Sequence, residues 1–260
     1  MTEKKRFWKW SRISTMHMLK LIGRSSIFLF FAVIFIADAF GITKLPLESM
    51  QFYKIIKSAI WVIFVGEMIL RFFPSSFESM GCQKQFKVNY QPPADGYTPS
   101  FPDVAPKHPV LIVTASWIAL NGAIAALFYC GVIGEKVLFL VSMAYSVCDM
   151  ICILFFCPFQ QWMMKNKCCG TCRIYNWDFI MMFTPMIFIP SFYNTSLFIV
   201  SLILFINWEV LYKMYPERFH EETNMCLSCA NCEEKLCRHK KTLQKYLKKY
   251  RKYLPKIKKA

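Results

Sequence analysis

Cys226, Cys229, Cys232 and Cys237 fall within twelve residues near the C-terminal end of the chain, and Cys168, Cys169 and Cys172 cluster upstream in "KCCGTCR". A Cys-x2-Cys turn lets two thiolates face one ion, and a tetrahedral zinc site takes two such pairs. "CGTC" (Cys169, Cys172) supplies one pair, with Gly170 easing the turn. "CLSC" (Cys226, Cys229) or "CANC" (Cys229, Cys232) supplies the other. With Cys168, Cys237 and His239 the set reaches seven thiols and one imidazole, enough ligands for two four-coordinate zinc sites. The expected chemistry is a zinc module that clasps a loop to the tail.

The alternative ion centre is an iron–sulfur cluster. The spacing Cys226-x2-Cys229-x2-Cys232 followed by Cys237 resembles the bacterial ferredoxin run, which closes with a three-residue gap and a proline. Here the last gap is four residues, Glu233 to Leu236, and no proline follows Cys237. A redox-active dithiol is the remaining chemical reading of these thiols.

A second constellation lies inside an apolar run. Asp149 is flanked by Cys148 and Cys152, two thiols one helical turn apart on one face. An intramembrane carboxylate is costly unless it faces a bundle interior, a cavity or a partner. Asp149 with either thiol is therefore a candidate way-station for a cation, and a hydrogen-bonded aspartate that fixes helix packing is the structural alternative. Glu67 and Arg71 have the spacing of an intrahelical ion pair. Glu209 is expected to pair with Arg71 or Lys213. Asp178 reads as an N-cap, Trp177 as an interface anchor, and Lys57 and Asp38 as snorkelling residues near span ends. The four histidines, His17, His108, His220 and His239, all fall outside the spans drawn below, which argues against a membrane haem held by paired histidines. His220 is a further possible metal ligand or a solvated surface residue. No phosphate-binding glycine loop, nucleophile elbow or zinc-protease helix is present, so the expected protein is not an enzyme.

The elements that must position these residues are helices in a bilayer. The chain has 260 residues, 55% of them hydrophobic and 18% charged. Runs such as "SSIFLFFAVIFIADAFGI" and "TSLFIVSLILFINWEVLY" have the roughly 17–25 residues a membrane helix needs. The reading is an all-α, polytopic membrane protein with about six spans, 25–42, 55–73, 109–131, 137–157, 177–192 and 195–214, arranged as three helical hairpins. The fifth is short and holds Pro185 and Pro190, so it is either a kinked span or a re-entrant segment.

Charge sets the orientation. The net charge of +16 gathers at the ends: seven Lys/Arg against Glu3 in residues 1–24, and twelve Lys/Arg with no acid after Glu234. The loops 74–108 and 158–176 are also basic, while 43–54 and the short outer turns hold few basic residues. The positive-inside rule then puts both termini in the cytoplasm, with the protein in the cell membrane. The domains are a basic N-terminal segment 1–24, a bundle 25–214 and a Cys-rich tail 215–260. Most thiols lie on the reducing face, which favours metal or catalysis over a disulfide framework. The proline-rich loop 90–109 is expected to be an irregular cover or disordered. Leu243, Tyr246, Leu247, Tyr250 and Leu254 recur at helical spacing among lysines, the pattern of a basic amphipathic helix that meets anionic lipid headgroups or docks a protein. Because the basic runs abut spans, headgroups are favoured over nucleic acid.

Two functions follow. One is a non-enzymatic membrane protein with a zinc-clasped inner face that moves or senses a small solute or metal, or serves as a subunit of a membrane complex. The other is a redox protein that passes electrons to a partner or quinone. Elemental analysis of anaerobically purified protein is expected to find zinc, lost in both Cys229→Ser and Cys169→Ser. Metal retained in both variants removes the shared site.

Overall fold

The computed structural model describes residues 12–41, 51–74, 83–93, 107–166, 168 and 170–228. Among these, every regular element is helical. The long helices are α1 (Arg12–Ala39), α2 (Gln51–Leu70), α3 (Lys107–Tyr129) and α4 (Glu135–Leu154). A short α5 (Asp178–Phe183) and a final long helix α6 (Phe192–Met214) complete the set. Four stretches are long and apolar enough to cross a membrane: Ser14–Ala39, Pro109–Tyr129, Glu135–Leu154 and Phe192–Met214. α2 has the length, but Lys54, Lys57 and Glu67 interrupt its apolar character. Outward faces are apolar: Leu29, Val33 and Ile36 on α1, and Ile199, Ile203, Ile206 and Val210 on α6, are all exposed at helical spacing. Apolar patches of that extent suit lipid better than water.

Among the described residues the first two expected hairpins are not the main helix pairs, whereas α5 and α6, the third, do pack together. α1 packs mainly on α4, α2 on α6, and α5 on α4 and α6. Phe31 meets the Phe139 ring edge-on at 5.1 Å, and Arg24 reaches Ser146, so α1 and α4 run antiparallel. Ser58 bonds Tyr193 and Trp61 bonds Ser196, so α2 and α6 run parallel. α1 also begins earlier than the expected 25–42. Residues 12–24, assigned by charge to a separate basic segment, continue the same helix. Met18 and Leu21 pack against Met150, Ile153 and Leu154, and Lys20 and Arg24 find carboxylates on other helices. The extension brings His17 into the apolar helix, where it is buried, so one histidine does lie inside a span-length stretch.

The segment expected to be the fifth span is broken. A 3-10 turn, Tyr175–Trp177, leads into α5, and a second 3-10 stretch, Thr184–Phe188, follows it. Phe179, Met182, Phe183, Pro185 and Met186 are all fully buried in the centre of the bundle. Pro185 is the reason for the change in winding: it has no N–H to donate, and its ring obstructs the α-helical path. The Met182 carbonyl, three residues before it, is served by the Ser142 hydroxyl at 2.8 Å from α4. Ser191 then caps α6 by accepting from the Asn194 N–H at 3.2 Å, and Asn194 Nδ2 donates to the Ile189 carbonyl. Irregular backbone at membrane depth is tolerated where protein supplies such partners.

Candidate functional site

Buried cations from one end of the bundle organise its interior. The Arg24 guanidinium donates to Glu67 Oε2 at 2.6 Å, to Asp149 Oδ2 at 3.2 Å and to the Ser146 carbonyl at 3.1 Å. It thus ties α1 to both α2 and α4, with its face 5.2 Å from the Phe64 ring. Lys20, one turn earlier on α1, adds a second contact to Glu67 at 3.1 Å. Arg71, just past α2, pairs with Asp178 at 2.6 Å and lies over the Phe179 ring. Arg173 grips both oxygens of Glu209, and its guanidinium stacks 3.7 Å from the Tyr212 ring centre. Trp177 Nε1 completes that group with a 2.7 Å bond to Glu209 Oε1. A separate pair, Lys136 and Asp38, joins α4 to α1 at the opposite end.

These partners correct the sequence-based pairings. Glu67 pairs with Arg24 and Lys20 of α1, and the Arg71 four residues on turns to Asp178 instead. Arg71 takes Asp178, so that carboxylate serves as an ion partner, and the capping position belongs to Trp177. Glu209 takes Arg173 instead of Arg71 or Lys213. Trp177 is an interior donor as well as a ring contact with Phe205. Lys57 sits over the Tyr193 ring, 5.3 Å from its centre.

Beside the ion pairs lies a cavity of about 130 Å³. Trp117 of α3, Tyr145 of α4 and Phe159 of a π-helical turn, Phe159–Met163, give it aromatic walls. Cys148, Cys152, Cys157 and Cys172 all border it, as do Asp149 and Asp178. The three residues singled out inside the fourth apolar run, Asp149, Cys148 and Cys152, therefore share one cavity. The charge of Asp149 is met by Arg24 and that of Asp178 by Arg71. Among the described residues, the buried Tyr145 hydroxyl has no hydrogen-bond partner.

A cap closes this end of the molecule. Gln85 donates to the Gly170 carbonyl at 3.0 Å and accepts from Asn176 at 2.8 Å. Asn224 is fully buried. Its Nδ2 donates to the Lys84 and Arg218 carbonyls, both at 2.9 Å, and its Oδ1 accepts from the Cys226 and Gln91 N–H groups. Segments 83–91, 166–176 and 216–228 are thus fastened together by amides. They enclose a more polar cavity of about 220 Å³ bordered by Gln85, Cys172, Arg173, Tyr212, Phe219 and His220. Cys172 borders both cavities.

The expected zinc ligands divide. Cys172 is buried between the cavities, Cys168 is half-buried, and the Cys226 thiol donates to the Asn89 carbonyl at 2.9 Å. Cys169, Cys229, Cys232, Cys237 and His239 lie outside the described residues. So do the amphipathic stretch beyond 239 and residues 94–106 of the proline-rich loop. Among the described residues, no group of three or more His, Cys, Asp or Glu side chains is placed to hold a metal ion. Arg24, Arg173, Tyr145 and Asn224 were not singled out from sequence. Arg24 and Arg173 stood among basic flanks, and nothing local distinguishes Asn224 from a solvated tail residue.

Among the described residues, fold and site define an all-helical arrangement with four helices long and apolar enough to cross a membrane, organised around buried ion pairs and a thiol-bordered cavity. No protein family, curated protein or solved structure matches the chain.

Arg24→Leu removes the shared partner of Glu67 and Asp149. Breaking a buried pair of this kind costs about 3–5 kcal/mol. The variant is expected to lose most of its folded yield or thermal midpoint in detergent, while Lys136→Leu, at an exposed pair, changes it little. His220 gives a pH dependence. Burial pushes its imidazole below the usual histidine range, Arg173 adds to the effect, and Glu222 opposes it. The unfolded chain then takes up the proton first. The contribution of neutral His220 to the cap is complete above about pH 6.5 and is lost as pH falls from there toward the folded-state value. Protection factors across 216–228, with the slower intrinsic exchange at low pH divided out, should fall between pH 7 and pH 5 in the native protein, and less so in His220→Phe.

Proposed function

We propose that the chain is a multi-pass protein of the cell membrane, with six traversals and both termini in the cytoplasm, that holds a small solute in its intramembrane cavity in order to sense or move it. The cavity carries this reading: about 130 Å³ bordered by α3, α4, α5 and the segment between α4 and α5, with charges neutralised by built-in partners. Contact order supports the six traversals. The broken segment starts at the cap, where Asn176 meets Gln85, and ends where Phe188 meets Tyr129, the last residue of α3. Six α-helical residues and eight 3-10 residues cover roughly 25 Å, near the ~30 Å of a hydrocarbon core. The basic termini and loops favour the capped end as cytoplasmic.

A neutral solute fits better than a metal cation, since Asp149 and Asp178 each already face an arginine. The zinc clasp between loop 158–176 and the tail belongs to this proposal, with Cys168, Cys169, Cys172, Cys226, Cys229, Cys232, Cys237 and His239 as its ligand set. In that role it would reinforce a joint that Asn224 and Gln85 already make. The redox reading gains one observation, the gathering of Cys148, Cys152, Cys157 and Cys172 around a single cavity. A subunit role remains compatible with the apolar outer faces of α1 and α6.

Thiol labelling in native membranes tests the proposal. Cys148 and Cys152 are expected to react with a lipid-soluble maleimide and to resist a charged, impermeant one applied to either side. Cys168 should react with the charged reagent only from the cytoplasmic side. Rapid labelling of Cys148 by the charged reagent would place the cavity in water and remove the reading.

A further inference from the structure

Cys172 stands between two spaces of different character. On one side is the apolar intramembrane cavity of about 130 Å³, and on the other the more polar cavity of about 220 Å³ under the cap. Among the described residues, Cys172 is the one side chain common to both walls, so the partition there is a single side chain thick. Ile174 borders the intramembrane cavity and Met164 the cap cavity, and both pack in one cluster with Cys172. Val113 of α3, fully buried, belongs to the same cluster.

This partition has a fixed frame and a soft filling. The frame is a chain of amide hydrogen bonds. The Asn166 N–H donates to the Gln160 carbonyl at 3.0 Å, and Gln160 Nε2 donates to the Asn166 carbonyl at 3.2 Å. Asn166 Nδ2 then donates to the Thr171 carbonyl at 3.1 Å, one residue before Cys172. Gln160 borders the intramembrane cavity, and Asn166 and Thr171 the cap cavity, so the frame runs from one to the other. Gln160 belongs to the π-helical turn Phe159–Met163, a winding that is rare and occurs mostly at functional sites. The filling is a thiol, an unbranched thioether and one aliphatic side chain. A thiol has a single heavy atom beyond Cβ, and a thioether repacks easily, so both turn aside by rotamer change while the backbone stays in place. The charged groups Arg173, Asp149 and Asp178 on the two walls are each met by an opposite charge, which favours neutral traffic. Both spaces are smaller than the roughly 300–1,000 Å³ that encloses a drug-sized ligand, which limits that traffic to molecules of a few heavy atoms. We infer, on the solute-binding reading above, that Cys172 with Met164 and Ile174 forms a gate through which a small neutral solute passes between the cap cavity and the intramembrane cavity. Loading from the capped end then depends on side-chain bulk at positions 172 and 164. The competing supply is lipid, because Cys148 is exposed on α4 while also bordering the intramembrane cavity.

The test uses the full chain in lipid nanodiscs, with iodoacetamide, a small neutral water-soluble thiol reagent, as the probe. Cys172→Ser is the reference, because it nearly keeps the side-chain size and removes a thiol that would consume reagent at the gate. Mass spectrometry reads the labelling rates of Cys152 on the intramembrane cavity wall, Cys148 and the cap thiol Cys168. Adding Met164→Ala to the reference is expected to raise the Cys152 rate severalfold. Cys172→Leu is expected to lower it severalfold. Cys148, also open to lipid, should change less, Cys168 should hardly change, and the thermal midpoints should stay near that of the reference. An equal Cys152 rate in all three variants means that the cavity fills from lipid: the gate is then wrong and the solute-binding reading stands. A rise at Cys152 matched by an equal rise at Cys168 marks a loosened cap and also overturns the gate. If Cys152 stays unlabelled in every variant yet reacts in denatured protein, the cavity admits no small solute, and the gate and the solute-binding reading fall together.

Discussion

An arginine in an apolar bundle has to be met by carboxylates, and Arg24 is where this constraint governs the rest. Its guanidinium is a rigid fork, able to serve two acceptors on different helices at once. Glu67 on one side and Asp149 on the other fix α1 against α2 and α4. Water is a poor source of compensation at this depth, so the three helices hold a common register or leave a charge unpaired. The same logic repeats in Arg71 with Asp178 and Arg173 with Glu209, which anchor the broken central segment to α2 and α6. Aromatic faces lie against all three arginines, at Phe64, Phe179 and Tyr212, so each cation is covered by ring surface as well as by carboxylate.

The central segment shows a second constraint. Proline makes a continuous helix unavailable around Pro185, and a broken helix cannot face lipid with its carbonyls unserved. Placing it in the centre of the bundle solves both problems. Ser142 serves the Met182 carbonyl, and Phe179, Phe183 and Met186 fill the core. The cavity is bordered both by α5 and by the π-helical turn after α4, so the winding irregularities and the thiol-bordered space occur together. At the capped end, Asn224 has both amide groups fully engaged by backbone. Asn224 thereby joins the tail to segment 83–91, which Gln85 joins in turn to Gly170 and Asn176.

The sequence by itself determined the helical class, the apolar stretches, the candidate residues around Asp149 and the weakness of the fifth segment. These are local properties: run length, 3.6-residue periodicity and the chemistry of proline are written within a single element. The partners were decided only by the tertiary structure. Arg24 finds Asp149 across 125 residues of chain, and Gln85 finds Asn176 across 91. Spacing along one helix favoured Glu67 with Arg71, but a neighbouring helix offered each of them a better-placed opposite charge. The third expected hairpin is seen as α5–α6 packing, while the main contacts of the other long helices, α1–α4 and α2–α6, are set by side chains that converge from distant segments. A cation's partner in an apolar interior is chosen by three-dimensional proximity and desolvation, and neither quantity is defined until the helices have packed.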